Sequence, residues 1–211
     1  MRLWVTGFGP FPGAPVNPTE WLAEQLGELA PEAVGASALC CEVLPSEFTR
    51  ALAIVEDRHR SLTPDIAVHF GLHRNAGGFR LERRAGNRIG CERPDATGVI
   101  PQKRQVDRDG PPALHTAWPA SVGRALRDAG LAVESSDDAG AYVCNAVYYR
   151  SLACATERPG VWCGLVHVPH TERSDQSRAA IGQADLLAGA IVILREMTRI
   201  LTAATTSSKT R

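Results

Sequence analysis

The chain has 211 residues, enough for one α/β domain whose core needs no disulfide or structural metal. Hydrophobic residues make up 44% and charged residues 22%, the ordinary balance of a globular fold in water. Lys plus Arg equals Asp plus Glu at 23 each, so no net field draws the chain to nucleic acid or to an anionic membrane.

Residues 3–6 read as a short strand that reaches Gly7 too early to be the apolar core of a signal peptide. No run approaches the roughly 18–20 apolar residues of a membrane span. The expectation is therefore an intracellular, cytoplasmic protein with reduced thiols. After a loop dense in Gly and Pro, Asn17-Pro18-Thr19-Glu20 reads as a capped helix start, with the helix running to about Ala30. Residues 38–44 form a second predicted strand, 45–59 a helix, and 65–70 a third strand ending at Gly71. Residues 83–114 show no period, and so long an irregular stretch is usually functional or disordered. Regular pattern resumes with a helix over 118–129, a strand over 131–134, a helix over 144–153, a strand over 161–168 and a helix over 176–201. This alternation predicts a single three-layer α/β/α domain over residues 1–200, with a central, largely parallel mixed sheet and a disordered tail over 201–211.

Six cysteines stand at 40, 41, 91, 144, 154 and 163, and none forms a C-x-x-C pair. Most are expected to fill the core as small hydrophobes. Cys144 differs in context, because 138–145 is a loop turning into an apolar helix. A thiol at a helix start feels the positive end of the macrodipole, which lowers its pKa, and the free N–H groups there can serve an oxyanion. The plain alternative is one more inert thiol. His167 ends a predicted strand, where α/β sheets border their ligand crevice, and can act as a general base. It can equally be a strand-end histidine bound to a backbone carbonyl. Glu82 can orient such a histidine, or lie on the surface among its arginines. His69 with His73, and His167 with His170, raise a metal site, but no further ligand completes a set. The Gly-Phe-Gly-Pro-Phe-Pro-Gly loop lacks the Lys-Ser/Thr of a phosphate cradle, and its prolines have no N–H to offer.

Four blocks in order resemble pyroglutamyl peptidase type I, the pyrrolidone-carboxylate peptidases. They are Thr6-Gly7-Phe8-Gly9-Pro10-Phe11-Pro12-Gly13 with Asn17-Pro18, Leu81-Glu82-Arg83 with Asn87, residues 138–145 ending in Val143-Cys144-Asn145, and Val166-His167-Val168-Pro169. The similarity runs from about residue 2 to 200. It implies a cysteine exopeptidase that removes N-terminal pyroglutamate from peptides without metal or cofactor. Cys144 would be the nucleophile, His167 the base and later acid, and Glu82 the orienter. Phe8 and Phe11 fall on positions that line the ring pocket. Asn17 belongs to the same block, and backbone groups near Gly71 and Val143 would bond the lactam. The resemblance also implies a homo-oligomer, often a tetramer.

The departures are local. The family's Gly-Gln-Ala-Gly-Gly-Arg is here Gly71-Leu72-His73-Arg74-Asn75-Ala76-Gly77-Gly78, which loses the glutamine. Its Asp-Asp-Ala-Arg-Ile-Pro is here Gly90-Cys91-Glu92-Arg93-Pro94-Asp95, which leaves Arg88 and Arg93 as rivals for the arginine's place. Two other readings stand beside the peptidase: a cysteine amidohydrolase with another N-terminal group in its pocket, and a catalytically silent peptide-binding relative.

Overall fold

The computed structural model describes residues 1–90 and 92–209. In chain order its first half comprises β1 (Arg2–Phe8), α1 (Pro18–Gly27), β2 (Ala38–Leu44), α2 (Phe48–Ser61), β3 (Ile66–Leu72) and β4 (Phe79–Glu82). Then follow β5 (Arg84–Gly86), β6 (Ala113–His115), α3 (Ala120–Asp128), β7 (Val133–Ser136) and α4 (Val143–Thr156). The chain closes with β8 (Trp162–Val168), β9 (His170–Thr171), β10 (Ala179–Ile181) and α5 (Gln183–Lys209).

Six strands make the central sheet in the order β2-β1-β3-β8-β4-β7. The first four are parallel, whereas β4 runs antiparallel to β8 and parallel to β7. Every residue of β3 is buried, as expected of a central strand covered on both faces. Strand alternation then divides the core in two. Leu3, Val5, Val68, Phe70, Leu81 and Val166 pack with residues of α1, α3 and α5, while Trp4, Phe8, Ala67, Cys163 and Leu165 pack with those of α2 and α4. The result is the predicted α/β sandwich with a mixed, mostly parallel sheet.

Asn17 starts α1 as predicted, its side chain accepting from the Thr19 N–H at 3.1 Å. The irregular stretch after β5 is fastened by side chains that satisfy its backbone. Asn87 bonds the N–H and carbonyl of Asp107, and Asn145 of α4 bonds the N–H and carbonyl of Gly86.

Three expectations need correction. Strand β4 went unread, because Arg80 and Glu82 occupy positions where the pattern calls for apolar residues. The final helix begins at Gln183, not 176, since 179–181 pairs with β9. That helix also continues through the predicted tail to Lys209, and Thr205 bonds back to the Leu201 carbonyl at 2.8 Å. Residues 210 and 211 lie outside the described residues. Of the five described cysteines, all free, Cys163 alone is fully buried, and Cys91 lies outside the described residues.

Candidate active site

The site grows from the seam between β3, β8 and β4. His167 is in register with Gly71 on one flank and Arg80 on the other, and Glu82 stands opposite Leu165. Paired residues point to the same face, so Gly71, His167, Arg80 and Glu82 all face α4. Glu82 is fully buried, and its Oε1 lies 2.8 Å from His167 Nδ1. The Arg80 Nε–H donates to the same oxygen at 2.9 Å, while another guanidinium nitrogen reaches Ser136 Oγ at 2.7 Å. An ionised carboxylate only accepts, so Nδ1 carries the imidazole proton and Nε2 is left as the basic nitrogen.

Cys144 is the second residue of α4, two positions after the cap held by Tyr142. A Cβ placed on Gly71 would sit 2.9 Å from Cys144 Sγ and 3.1 Å from His167 Cδ2. Sulfur and imidazole thus converge over a bare stretch of backbone that no side chain could share. The helix start was expected to lower the thiol pKa, and here the structure differs. Burial pushes Cys144 up to about 12, with the negative charge of Glu82 adding to it, against a backbone hydrogen bond that lowers it. With its pKa held above the ordinary thiol range, the sulfur needs a neighbouring base to take its proton as it attacks. The side chain is only half-buried and opens to the space above it.

That space is a cavity of about 540 Å³. Cys144 and His167 lie at its floor, with Phe11, Leu72, His73, Arg74, Arg93, Tyr142 and Arg178 among its walls. The Phe11 and Tyr142 rings stand 5.4 Å apart, and Phe48 meets Tyr142 edge-on at 5.6 Å. Two flat aromatic faces beside a thiol suit a small, uncharged ring.

The structure brings together Cys144, His167, Glu82, Gly71 and Phe11. It does not bring the side chains of Phe8 or Asn17 to the cavity. The Phe8 side chain is buried in the core with Trp4 and Leu44, because β1 extends through it. Asn17 is spent on the helix cap and on the Gly9 carbonyl. The Val143 side chain is buried, and its backbone, the part expected to bond the lactam, opens the helix beside Cys144. Arg93 lines the cavity, whereas Arg88 bonds Asp138 and the Gly140 carbonyl. His170 is turned to Ser174 at 3.1 Å. His69 is buried against Thr6 Oγ1 at 2.8 Å, while His73 lines the cavity. Among the described residues no three His, Cys, Asp or Glu side chains gather where they could hold a metal ion.

Sequence reasoning missed Arg80 and Tyr142, and weighed His73 only as a metal ligand. Tyr142 had a signal, since it occupies the position before the helix that presents the thiol. Arg80 had one too: two residues from Glu82 along a strand puts both side chains on one face.

The family model for pyroglutamyl peptidase matches residues 1–204. The pyrrolidone-carboxylate peptidase of Pyrococcus furiosus is 32% identical over 185 residues, covering 87% of this chain and 88% of that protein. Its counterpart from Streptomyces coelicolor is 35% identical over 170 residues, covering 80% and 77%. A solved mutant pyrrolidone carboxyl peptidase from P. furiosus superposes with a TM-score of 0.88 at 28% identity, over 95% of this chain and 100% of that one. Pyroglutamyl peptidase I of Bacillus amyloliquefaciens shares the fold, with a TM-score of 0.84 at 24% identity over 94% and 97% of the two chains. With a match over nearly its whole length, and with Cys144, His167 and Glu82 converging at one cavity, the chain belongs to the pyroglutamyl peptidase family.

Proposed function

We propose that the protein hydrolyses the bond after an N-terminal pyroglutamyl residue of peptides, with Cys144 as nucleophile, His167 as base and acid, and Glu82 as orienter. The observation that carries this reading is the convergence of Cys144 Sγ and His167 over Gly71, with Glu82 2.8 Å behind the imidazole. As Sγ attacks the pyroglutamyl carbonyl, its proton passes to His167 Nε2, and the buried carboxylate stabilises the imidazolium. The oxyanion takes the backbone N–H of Cys144, one of the donors a helix start leaves unpaired. The imidazolium then protonates the departing amine, leaving a thioester. Water, deprotonated by Nε2, cleaves the thioester and restores the thiol. The scheme uses a thiol, an imidazole and a carboxylate, and needs no cofactor.

Phe11 and Tyr142, in contact with each other at 5.4 Å, would form one apolar wall against the lactam. The neutral ring is favoured over proline, whose charged amine would have to be desolvated against this wall. The setting is a reducing cytoplasm, supported by the free thiols, and no described helix is long and apolar enough to cross a membrane. Assembly as a homo-oligomer rests on the resemblance to the family.

The test compares pyroglutamyl and prolyl amides of one fluorescent amine. Cleavage of the first by at least about 100-fold in kcat/KM is expected, abolished in Cys144→Ala and by thiol alkylation but retained in EDTA. Intact turnover in Cys144→Ala would sink the mechanism. A second reading, an amidohydrolase with another N-terminal group in its pocket, is favoured by Leu72 on the cavity wall. Comparable cleavage of both amides would select it.

A further inference from the structure

A single five-membered lactam fills a minor part of a cavity of about 540 Å³, so most of that space lies beside whatever follows the scissile bond. Its walls carry three guanidinium groups, from Arg74, Arg93 and Arg178, and among the described residues no Asp or Glu lines it. Glu82, the nearest carboxylate to the chemistry, is buried behind His167 and engaged by His167 and Arg80. Asp138 is paired with Arg88 outside the lining.

The arginines come from three separate loops. Arg74 follows β3, and its guanidinium carbon lies 6.0 Å from the centre of the Phe11 ring. Gly13, at φ +90°, makes room for it, since a Cβ there would strike the guanidinium. Arg178 stands on the turn between β9 and β10 and pairs with Asp175 at 3.7 Å, which offsets part of its charge. Arg93 belongs to the segment held by the Tyr142 hydroxyl, which donates to the Pro94 carbonyl at 3.0 Å. A concave site lined by one sign of charge focuses its field inward and raises the local concentration of the opposite sign.

We infer that this rim selects peptides whose leaving portion carries a carboxylate close to the scissile bond. The carboxylate can be the acidic side chain of the residue after pyroglutamate, or the free C-terminus of a dipeptide. Both present the same anion at similar distance. The inference rests on the peptidase reading for the identity of the floor, but its charge argument concerns binding.

Four substrates separate the sources: pyroglutamyl-glutamic acid amide, free pyroglutamyl-alanine, pyroglutamyl-alanine amide and pyroglutamyl-lysine amide. An exposed ion pair changes a rate or binding constant by up to about fivefold, so arginines acting together are expected to give about tenfold. At low salt, kcat/KM for either anionic substrate should exceed that of the neutral amide by about that factor, and the lysine amide should fall below it. The ratio should shrink in Arg74→Gln and Arg178→Gln, and also in 0.5 M salt, as screening requires. Dissociation constants for the same four compounds, measured on Cys144→Ala, should rank alike. Equal binding of all four would overturn the inference whatever the turnover. Absence of turnover on every substrate, with the binding order intact, would refute the peptidase reading and leave the anion selectivity standing.

Discussion

Replacing Glu82 by Gln keeps the shape and one carbonyl acceptor but removes the charge beside His167. During attack the imidazole holds the Cys144 proton, and its Nδ1 then faces a carboxylate oxygen 2.8 Å away in a fully buried position. Two unit charges about 4 Å apart attract by ~4 kcal/mol at an effective dielectric of ~20. Arg80 binds the same oxygen at 2.9 Å and offsets part of that field. If half survives, the loss is ~2 kcal/mol, or about 30-fold in kcat. KM should change little, because the carboxylate does not line the cavity. Glu82→Ala should be worse, since His167 and Arg80 would both lose an acceptor at about 1–3 kcal/mol each. The assay is steady-state release of a fluorescent amine from a pyroglutamyl amide, with thermal melts confirming that each variant folds. A kcat for Glu82→Gln within about threefold of the parent would refute the claim that this charge stabilises the imidazolium.

Gly71→Ala should lose most activity with a small change in melting temperature, because its Cβ would press on Cys144 Sγ at 2.9 Å and His167 Cδ2 at 3.1 Å. An active variant would show that the convergence over Gly71 is not needed. His167→Ala should remove roughly 10²–10⁴-fold of the rate, whereas His170→Ala, which loses only a bond to Ser174, should keep most of it; the reverse order in kcat would exclude His167 as the base. Burial lowers His59 to about 4 and His69 to about 3, each from an ordinary 6.5, so both stay neutral in the fold while the unfolded chain protonates. Stability should therefore fall as pH drops below 6.5, by up to about 1.4 kcal/mol per pH unit for each histidine, and level off near 3–4 as far as these two groups are concerned. Urea melts of the parent and of His69→Gln between pH 7 and 4 read this directly. A parent curve with no steeper acid slope than the variant's would contradict it.

The layers were legible because their signals are local. Asn17 and Pro18 begin α1 where a cap should stand, and β3 is apolar from end to end. The reacting side chains were legible only as isolated possibilities, each with a bland rival. What joins them is the sheet register, which no spacing in the sequence reveals: Glu82 and His167 are 85 positions apart. Strand β4 stayed hidden for a related reason. Its site-facing side chains are an arginine and a glutamate that neutralise each other in the interior, so the run looks like a polar surface. The Cys144 thiol was misjudged because a helix dipole is visible in a sequence and the crowding around a sulfur is not. Phe8 was placed in the loop because the strand reading stopped at Gly7, whereas β1 runs on through Gly7 to Phe8.

The reversed direction of β4 has a further consequence for how this enzyme can change. His167 and Glu82 hang from neighbouring strands tied by ladder hydrogen bonds, and Cys144 from the first turn of a helix packed on them. The walls that meet the substrate come from loops: Phe11 after β1, His73 and Arg74 after β3, Arg93 after β5, and Arg178 between β9 and β10. A one-residue slip in the strands would turn His167 away from α4 and end the chemistry. A substitution or an added residue in a loop leaves that register untouched. Libraries seeking new leaving groups or a new N-terminal ring therefore belong in those four loops, where the specificity of the pocket can drift while the reactive core stays fixed.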